Sequence, residues 1–280
     1  MYYIVAPQWY GADKKGPEIG AQLVAELFRK EGSLELNKLQ IPDAGYDNDI
    51  LMPHFSVIDD ANRSISESVY SALTSGRRVT TIGGDHSVSW GSISGALRFN
   101  PEIGVIYIDA HGDCNIAESS LSHHIHGMHM AYLMGFGDSK YVGRYTNQLL
   151  PVRNIIYVGV RSLDPYEVEL IQNNDIAQIS SNLINHDLND TLQRICEFTS
   201  NFEHIHISLD IDVLDPSLAP GTGVPEVGGL SEESLCAILD LIIKTDKVKS
   251  VDFVEFNPLF DIDSRTERVV EKLVKKISLI

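Results

Sequence analysis

The stretch IYIDAHGDCN, residues 106–115, starts as an apolar strand and ends in alternating polar groups. Asp109, His111 and Asp113 occupy every second position, and side chains two apart on an extended chain point the same way. An apolar run of this kind is typical of a strand buried in a parallel sheet. Carboxylates gathered at such an edge repel one another unless cations are bound. The stretch therefore predicts a central strand of an α/β fold with a cation site at its end.

Strands of this kind alternate with amphipathic helical patterns along most of the sequence. Strands are predicted at residues 2–6, 35–40, 78–82, 104–109, 154–159, 176–179, 205–210 and 250–254. Helices are predicted at residues 17–31, 58–74, 88–99, 128–135, 165–172, 189–199, 231–243 and 264–280. This alternation implies a parallel sheet with helices on both faces. Because no Gly-, Ser- or Pro-rich linker divides the sequence, we expect residues 1–280 to form one domain.

The composition restricts the partners of the protein. The sequence has 280 residues and a formal charge of −17, from 39 acidic and 22 basic residues. This charge argues against binding to nucleic acid or to an anionic membrane surface. Three cysteines are too few for a disulfide framework and favour a reducing compartment. Since the sequence shows neither a signal-peptide pattern nor a long apolar run, we expect a cytoplasmic protein without a membrane partner.

Three strand-to-helix junctions carry unusual polar residues. They read GGDHS at residues 83–87, DAHGD at 109–113 and DIDVLDP at 210–216. Taken singly, each motif suits a turn or a solvated loop as well as a site. In a parallel sheet, however, the carboxyl ends of the strands meet at one edge, where ligands bind. We therefore expect one cluster of six side chains: His86, Asp109, His111, Asp113, Asp210 and Asp212.

The chemistry of this cluster indicates metal ions. Four carboxylates and two imidazoles are too many ligands for one zinc ion but suit two ions that share carboxylates. Oxygen and nitrogen donors without a thiolate favour manganese over iron, cobalt or nickel. Two such ions generate a nucleophilic hydroxide at neutral pH, which predicts a hydrolase.

The three motifs, in this order, resemble the metal motifs of the ureohydrolases, the arginase and agmatinase family. The resemblance extends from GADKKGP at residues 11–17 to VEFNPLFDIDSRT at residues 254–266. It implies a three-layer arginase-like fold with an eight-stranded, mostly parallel sheet and two Mn²⁺ per chain. On this basis one ion is expected at His86 and Asp113 and the other at His111 and Asp212. Asp109 and Asp210 are expected to bridge both.

The resemblance also implies the reaction, which is cleavage of a guanidinium substrate to urea and an amine by a metal-bridging hydroxide. Asp113 is expected to accept a hydrogen bond from that hydroxide. Glu255 matches the guanidinium-binding glutamate of the family, and His126 matches its proton-shuttle histidine. On composition alone, His123, His124 and His129 compete with His126 for that role.

The substrate is the open part of the interpretation. Several residues match the arginase positions that hold the amino-acid end of arginine, or stand where such positions fall: Asn115, Ser122, His124, Asp164 and Glu167. They favour hydrolysis of L-arginine to L-ornithine. Against this, His124 replaces the usual asparagine, and APGTGVPEVGGL at residues 219–230 has agmatinase features, with Val224 replacing a common threonine.

The alternatives are therefore an agmatinase, or another guanidino-acid or formimino hydrolase of the same family. A non-catalytic metal-binding protein is a third class, which an intact Glu255 and His126 argue against. Since family members form trimers or hexamers, we expect a homo-oligomer whose partner in catalysis is a small cationic substrate.

Overall fold

The computed structural model describes residues 1–32, 36–42 and 50–280. Its strands are β1 (Tyr2–Ala6), β2 (Leu36–Lys38), β3 (Val79–Gly83), β4 (Gly104–Ile108), β5 (Ile155–Val160), β6 (Ala177–Ser180), β7 (Ile205–Asp210) and β8 (Val248–Val254). They form one eight-stranded sheet in the order β2-β1-β3-β8-β7-β4-β5-β6. Every neighbouring pair in this sheet is parallel, as the alternation of strands and helices predicts.

Helices cover both faces of the sheet. They are α1 (Pro17–Lys30), α2 (Phe55–Thr74), α3 (Ser89–Phe99), α4 (His129–Met134), α5 (Pro165–Asn173), α6 (Ser181–His186), α7 (Leu188–Ser200), α8 (Glu232–Lys244) and α9 (Arg265–Ile277). No helix in the described ranges is both long and apolar enough to cross a membrane.

The residues of β4 show why three layers form. Val105 and Tyr107 pack in a core cluster with residues of α2, α3 and α4. Ile106 and Ile108 pack in a second cluster with residues of α1, α7, α8 and α9. Because successive side chains of a strand point to opposite faces, one apolar strand supplies both cores. The three-layer α/β fold is thereby confirmed.

Helix ends follow from local sequence chemistry. Ser231 caps α8, because its hydroxyl oxygen accepts a hydrogen bond from the Ser234 amide at 3.1 Å. Pro165 opens α5 directly after Asp164, which forms a reciprocal capping box with Glu167.

The strands and helices lie close to their predicted positions. The largest shifts, of three residues, are at the start of α2, which is Phe55 rather than residue 58, and at the end of α9, which is Ile277 rather than residue 280. Helix α6 has no predicted counterpart, because six residues are too few to show a helical period. Residue 35 of the predicted second strand lies outside the described residues.

The strand order positions the chemistry. Strands β3, β8, β7 and β4 are consecutive neighbours at the centre of the sheet. Each is followed at its carboxyl end by polar residues, namely the GGDHS, VEF, DIDVLDP and DAHGD segments. Residues from four distant parts of the chain therefore meet at one edge of the sheet.

Candidate active site

His86 lies fully buried at the centre of the cluster, in the turn that follows β3. Its Nδ1 is 2.9 Å from an oxygen of Asp109 and 3.1 Å from oxygens of both Asp113 and Asp210. A single ring nitrogen satisfies one of these carboxylates well, and cannot satisfy three. Three carboxylate oxygens converging on one imidazole nitrogen form a donor set suited to a cation.

Asp109 and Asp210 are oriented by their own turns. Oδ1 of Asp109 accepts the His111 amide at 2.7 Å, and Oδ1 of Asp210 accepts the Asp212 amide at 2.8 Å. In both, the other oxygen, Oδ2, is the one near His86. In each aspartate, one carboxylate oxygen therefore stabilises the turn and the other points toward His86.

A second group of donors lies beside the first. Nδ1 of His111 is 3.0 Å from Oδ2 of Asp212 and 3.5 Å from Oδ1 of Asp109. Asp109 therefore contacts both groups. Within the described ranges, three sets of side chains have donor atoms close enough to hold a metal ion: His86 with Asp113 and His129, His86 with Asp109 and Asp210, and Asp109 with His111 and Asp212. The structure thus brings together all six residues expected as metal ligands.

The electrostatics of the cluster record the same crowding. Burial raises the pKa of Asp210 well above its usual range, and the neighbouring carboxylates of Asp212 and Asp109 raise it further. Burial alone would lower the pKa of His86, but its carboxylate neighbours outweigh burial and raise that pKa instead. In the absence of other cations, a proton on His86 offsets part of the carboxylate repulsion.

Three further residues lie next to the cluster, and the sequence analysis did not assign any of them to it. The Tyr107 hydroxyl donates to Oδ2 of Asp113 at 2.6 Å, and Oγ of Ser208 lies 2.9 Å from Nε2 of His86. Tyr107 and Ser208 each stand two residues before a candidate ligand on a strand, so side-chain parity was the signal for both. Nε2 of His129 lies 3.2 Å from the Tyr107 hydroxyl. Burial, together with the charge of the nearby His86, lowers the pKa of His129 to about 4.

Glu255 lies where β8 ends and is only 3% exposed. Its backbone is left-handed, with φ of 67°, a conformation that is strained for a residue with a side chain. Oε1 accepts the His86 amide at 2.8 Å and lies 2.9 Å from Nδ1 of His126. Burial would lower the pKa of His126, but the bond with Glu255 raises it above its usual value. The expected anion and proton carrier are therefore in direct contact.

Neither His129 nor His124 makes the contact with Glu255 that His126 makes. Nδ1 of His129 is 2.9 Å from the His126 carbonyl oxygen, so this ring is held behind the cluster. His124 has its ring centroid 5.8 Å from that of His126 and lines the cavity described next.

A cavity of about 370 Å³ opens over the cluster. His111, Asp113, Asp210, Asp212, His126 and Glu255 line it together with Asn115, Ser122, His124, Asp164 and Glu167. His86 and Asp109 lie beneath it, so they are not among the lining residues. Lys14 and Val224 also line this cavity, and Lys14 was not singled out from the sequence. The residues expected to bind the guanidinium end of the substrate and those expected to bind its amino-acid end thus line the same cavity.

The acids at the far end of the cavity are already engaged locally. Nδ2 of Asn115 donates to Asp164 at 2.9 Å. The Glu167 carboxylate accepts the amides of Cys114 and Asp164, each at 2.9 Å. Burial raises the pKa of Glu167 to about 7. Asp164 is therefore the better placed anion for a substrate ammonium, and Glu167 braces the loop that carries it.

The chain is similar to known proteins in both sequence and fold. Residues 6–279 match the sequence model of the arginase family. An arginase of Brevibacillus brevis is 32% identical over 296 aligned residues, which cover 99% of this chain and 97% of that protein. The crystal structure of an Entamoeba histolytica arginase in complex with L-ornithine superposes with a TM-score of 0.89 at 29% identity and covers 99% of this chain and 96% of the other. A Bacillus cereus arginase structure also gives a TM-score of 0.89, at 27% identity, with 99% and 96% coverage.

Proposed function

The chain belongs to the arginase family of metal-dependent hydrolases, and on that premise we propose that it hydrolyses L-arginine to L-ornithine and urea. The observation that carries this proposal is the placement of a buried anion, Glu255, beside the carboxylate and imidazole cluster and in the same cavity. A cationic guanidinium group needs an anion at the position where it is to be attacked, whereas a neutral amide has less need of one.

The cluster suits two divalent ions, for which we propose Mn²⁺. Four carboxylates and two imidazoles without a thiolate are a donor set of hard or borderline ions. The carboxylate oxygens around Nδ1 of His86 lack enough N–H donors, and a cation satisfies them together. His86 with Asp113, and His111 with Asp212, would each hold one ion, with Asp109 and Asp210 between them. When bound, two such ions lower the pKa of water and so supply hydroxide at neutral pH.

The remaining chemistry is carried out by the side chains above the cluster. Glu255 pairs with the substrate guanidinium and holds its carbon over the metal-binding residues. Hydrolysis then forms a bond between a water oxygen and that carbon and breaks the bond between the carbon and the side-chain nitrogen of the substrate. The released nitrogen needs a proton, and His126 carries one at the cavity wall, where its bond with Glu255 favours the protonated ring. The products are urea and L-ornithine, whose side-chain amino group contains the released nitrogen.

The polar residues that line the cavity support an amino acid as substrate. Asp164 offers an anion for the α-ammonium group, while Ser122 and His124 stand nearby on the wall. The Entamoeba histolytica enzyme, which shares this fold, was solved with L-ornithine.

Agmatine is the second candidate. Val224 lines the cavity with an apolar side chain, where arginases and agmatinases commonly have a threonine hydroxyl. Because both groups share that threonine, Val224 does not separate arginine from agmatine, and agmatine stays the alternative because of the agmatinase features at residues 219–230.

A substrate panel tests the proposal. The protein is loaded with Mn²⁺, and urea release is measured with L-arginine, agmatine and guanidinobutyrate. We expect kcat/KM for L-arginine to exceed that for either other compound. A preference for agmatine would reassign the enzyme within the family, and no urea from any compound would contradict guanidinium hydrolysis altogether.

We further propose that residues 1–280 act as one domain, in the cytoplasm, and assemble as trimers or hexamers. The shared sheet, which includes strands from both ends of the chain, supports the first point. Leu259, Phe260 and Ile262 support assembly, because they form an exposed apolar segment after β8. Light scattering on the purified protein measures the oligomeric state, and a monomeric mass would contradict this proposal.

A further inference from the structure

Lys14 is the lone lysine or arginine among the described residues that line the substrate cavity. It lies in the loop between β1 and α1, and its exposed side chain reaches the wall opposite its own loop. There Nζ donates a hydrogen bond to the Gly223 carbonyl oxygen at 2.9 Å. Within the part of the chain that the structure describes, this ammonium group makes no ion pair. Its acceptor here is a neutral carbonyl oxygen, which a charged acceptor can replace.

The position of Lys14 decides which end of a substrate it meets. The guanidinium end belongs at Glu255 and the candidate metal ligands, which are buried or nearly so. The other end must then lie toward solvent, where Lys14 is exposed. His124 lies on the same rim: burial lowers its pKa, and the charges of His126 and Lys14 lower it further. The rim thus presents a permanent cation beside an imidazole that is mostly neutral at physiological pH.

The charges of the cavity walls are also divided. Asp164 stands on the wall formed by the start of α5, where it suits a substrate ammonium group. Lys14 stands on a different wall, formed by the loop before α1, where it suits a carboxylate. An α-amino acid carries both charges on one carbon, whereas agmatine carries only the positive one. This arrangement complements a zwitterion.

We propose that Lys14 is a specificity-determining residue, which binds the carboxylate of the amino-acid substrate by exchanging the Gly223 carbonyl oxygen for a charged acceptor. This inference rests on the proposed hydrolysis of L-arginine and adds to it a source of discrimination against substrates without a carboxylate. A charge-assisted bond is stronger than a bond to a neutral carbonyl, so the exchange favours the substrate complex. Because the side chain is exposed, the effect on binding is modest, on the order of threefold to tenfold.

Steady-state urea release by the full-length, Mn²⁺-loaded protein tests the assignment. For Lys14→Met, we expect KM for L-arginine to rise by about threefold to tenfold, while kcat changes by less than about twofold. The ratio of kcat/KM for L-arginine to that for agmatine should fall by a similar factor. Lys14→Arg, which keeps the charge, should restore most of the ratio. Raising the salt concentration should bring KM of the unmodified protein toward that of Lys14→Met.

Lys15→Met is the matched control. Lys15 is the adjacent residue, is also exposed, and lies over the Trp9 ring at 5.3 Å, outside the substrate cavity. The Lys15→Met variant removes the same net charge from the same loop, so a general charge effect would appear equally in both variants. Calorimetry supplies a second readout, in which Lys14→Met weakens binding of L-ornithine more than binding of putrescine.

The outcomes separate the two proposals. If the unmodified protein hydrolyses L-arginine but Lys14→Met leaves the arginine-to-agmatine ratio unchanged, the assignment of Lys14 is wrong and the function stands. An equal change in Lys14→Met and Lys15→Met has the same meaning. If the unmodified protein releases no urea from L-arginine, both the function and this inference are wrong.

Discussion

Single residues at this site carry two tasks at once. Asp109 and Asp210 each give one carboxylate oxygen to a backbone amide two residues ahead and turn the other toward His86. Glu255 accepts the His86 amide and contacts His126 with the same oxygen. Because each side chain is fixed by a bond outside its reaction role, the cluster is held in place by the fold itself.

Tyr107 is the residue whose contribution is simplest to isolate. Tyr107→Phe removes the hydroxyl that donates to Asp113, and leaves the ring packing intact. Because partners of metal ligands usually affect affinity strongly, we expect Mn²⁺ to bind about 10- to 100-fold more weakly. Metal retained after dialysis against graded chelator measures this change.

Tyr157→Phe is the control for Tyr107→Phe. Tyr157 pairs with Tyr107 in the sheet register, and its hydroxyl makes no hydrogen bond to a candidate ligand among the residues described. Its Mn²⁺ affinity should match that of the unmodified protein. Equal losses in the two variants would show that removal of any buried hydroxyl here disturbs the site.

Glu255 tests the guanidinium interaction. Glu255→Gln keeps the shape of the side chain but removes its charge, which leaves a substrate guanidinium without a buried partner. We expect kcat/KM for L-arginine to fall by about 100-fold or more. Metal content, measured in the same samples, should stay unchanged, because Glu255 is not among the grouped donors. A loss below about threefold would contradict the role of Glu255.

At this scale the sequence predicts well which six side chains the fold groups together, and predicts their surroundings poorly. Asp109, His111 and Asp113 reveal themselves because parity on a strand and the edge of a parallel sheet are both readable from sequence. His129 does not, because its contact with Tyr107 depends on how α4 packs behind the sheet. Lys14 does not, because its place in the cavity depends on a loop path without periodicity.

At the level of elements, loops rather than strands set the accuracy of prediction. The strands are apolar on both faces and are bounded by polar turns, so β1 and β7 have their predicted bounds. The start of α2 is less readable, because it follows His54, which adopts a left-handed backbone and offers no side-chain cap. Helix positions away from the site are then fixed by specific pairs, of which Asp59 with Arg144 is the clearest.

Asp59 on α2 forms two hydrogen bonds, each 2.8 Å long, with the Arg144 guanidinium group. Burial opposes ionisation of Asp59, but the hydrogen bonds and the charge of Arg144 outweigh burial and lower the pKa of Asp59 from its usual value. Asp59→Asn should therefore reduce the free energy of unfolding by about 1–3 kcal/mol at pH 7, with part of the loss screened by solvent. Because the folded pKa is depressed, this contribution is present above pH 4 and disappears as the pH falls through that lower value.

Urea denaturation of Asp59→Asn and of a control gives the comparison. Glu102 pairs with Arg153 on the surface at 3.1 Å, with both side chains about 70% exposed. Glu102→Gln should change the free energy of unfolding by less than about 0.5 kcal/mol. Equal losses in both variants would mean that the partly buried Asp59 pair stabilises the protein no more than a surface pair does.

For the whole molecule, the strand order is the decisive feature, and periodicity does not reveal it. Strands β3 and β8 are neighbours although 164 residues separate the end of the first from the start of the second. That pairing brings Glu255 beside His86. From the sequence, only the family resemblance predicts that these two residues share a site. The cost of the arrangement is electrostatic, because a chain with a formal charge of −17 gathers the four aspartates of the cluster and Glu255 at one edge of the sheet. The same repulsion becomes affinity for cations.

The proposed function requires that this cluster hold two metal ions, with which the protein hydrolyses a guanidinium group. Its most direct test is a titration of the metal-free protein with Mn²⁺, in which the rate of urea release from L-arginine is followed at each addition. We expect no urea before metal is added, a rate that rises with Mn²⁺, and saturation at two equivalents per chain. Urea release that is independent of added metal, or no urea at any loading, would contradict the claim.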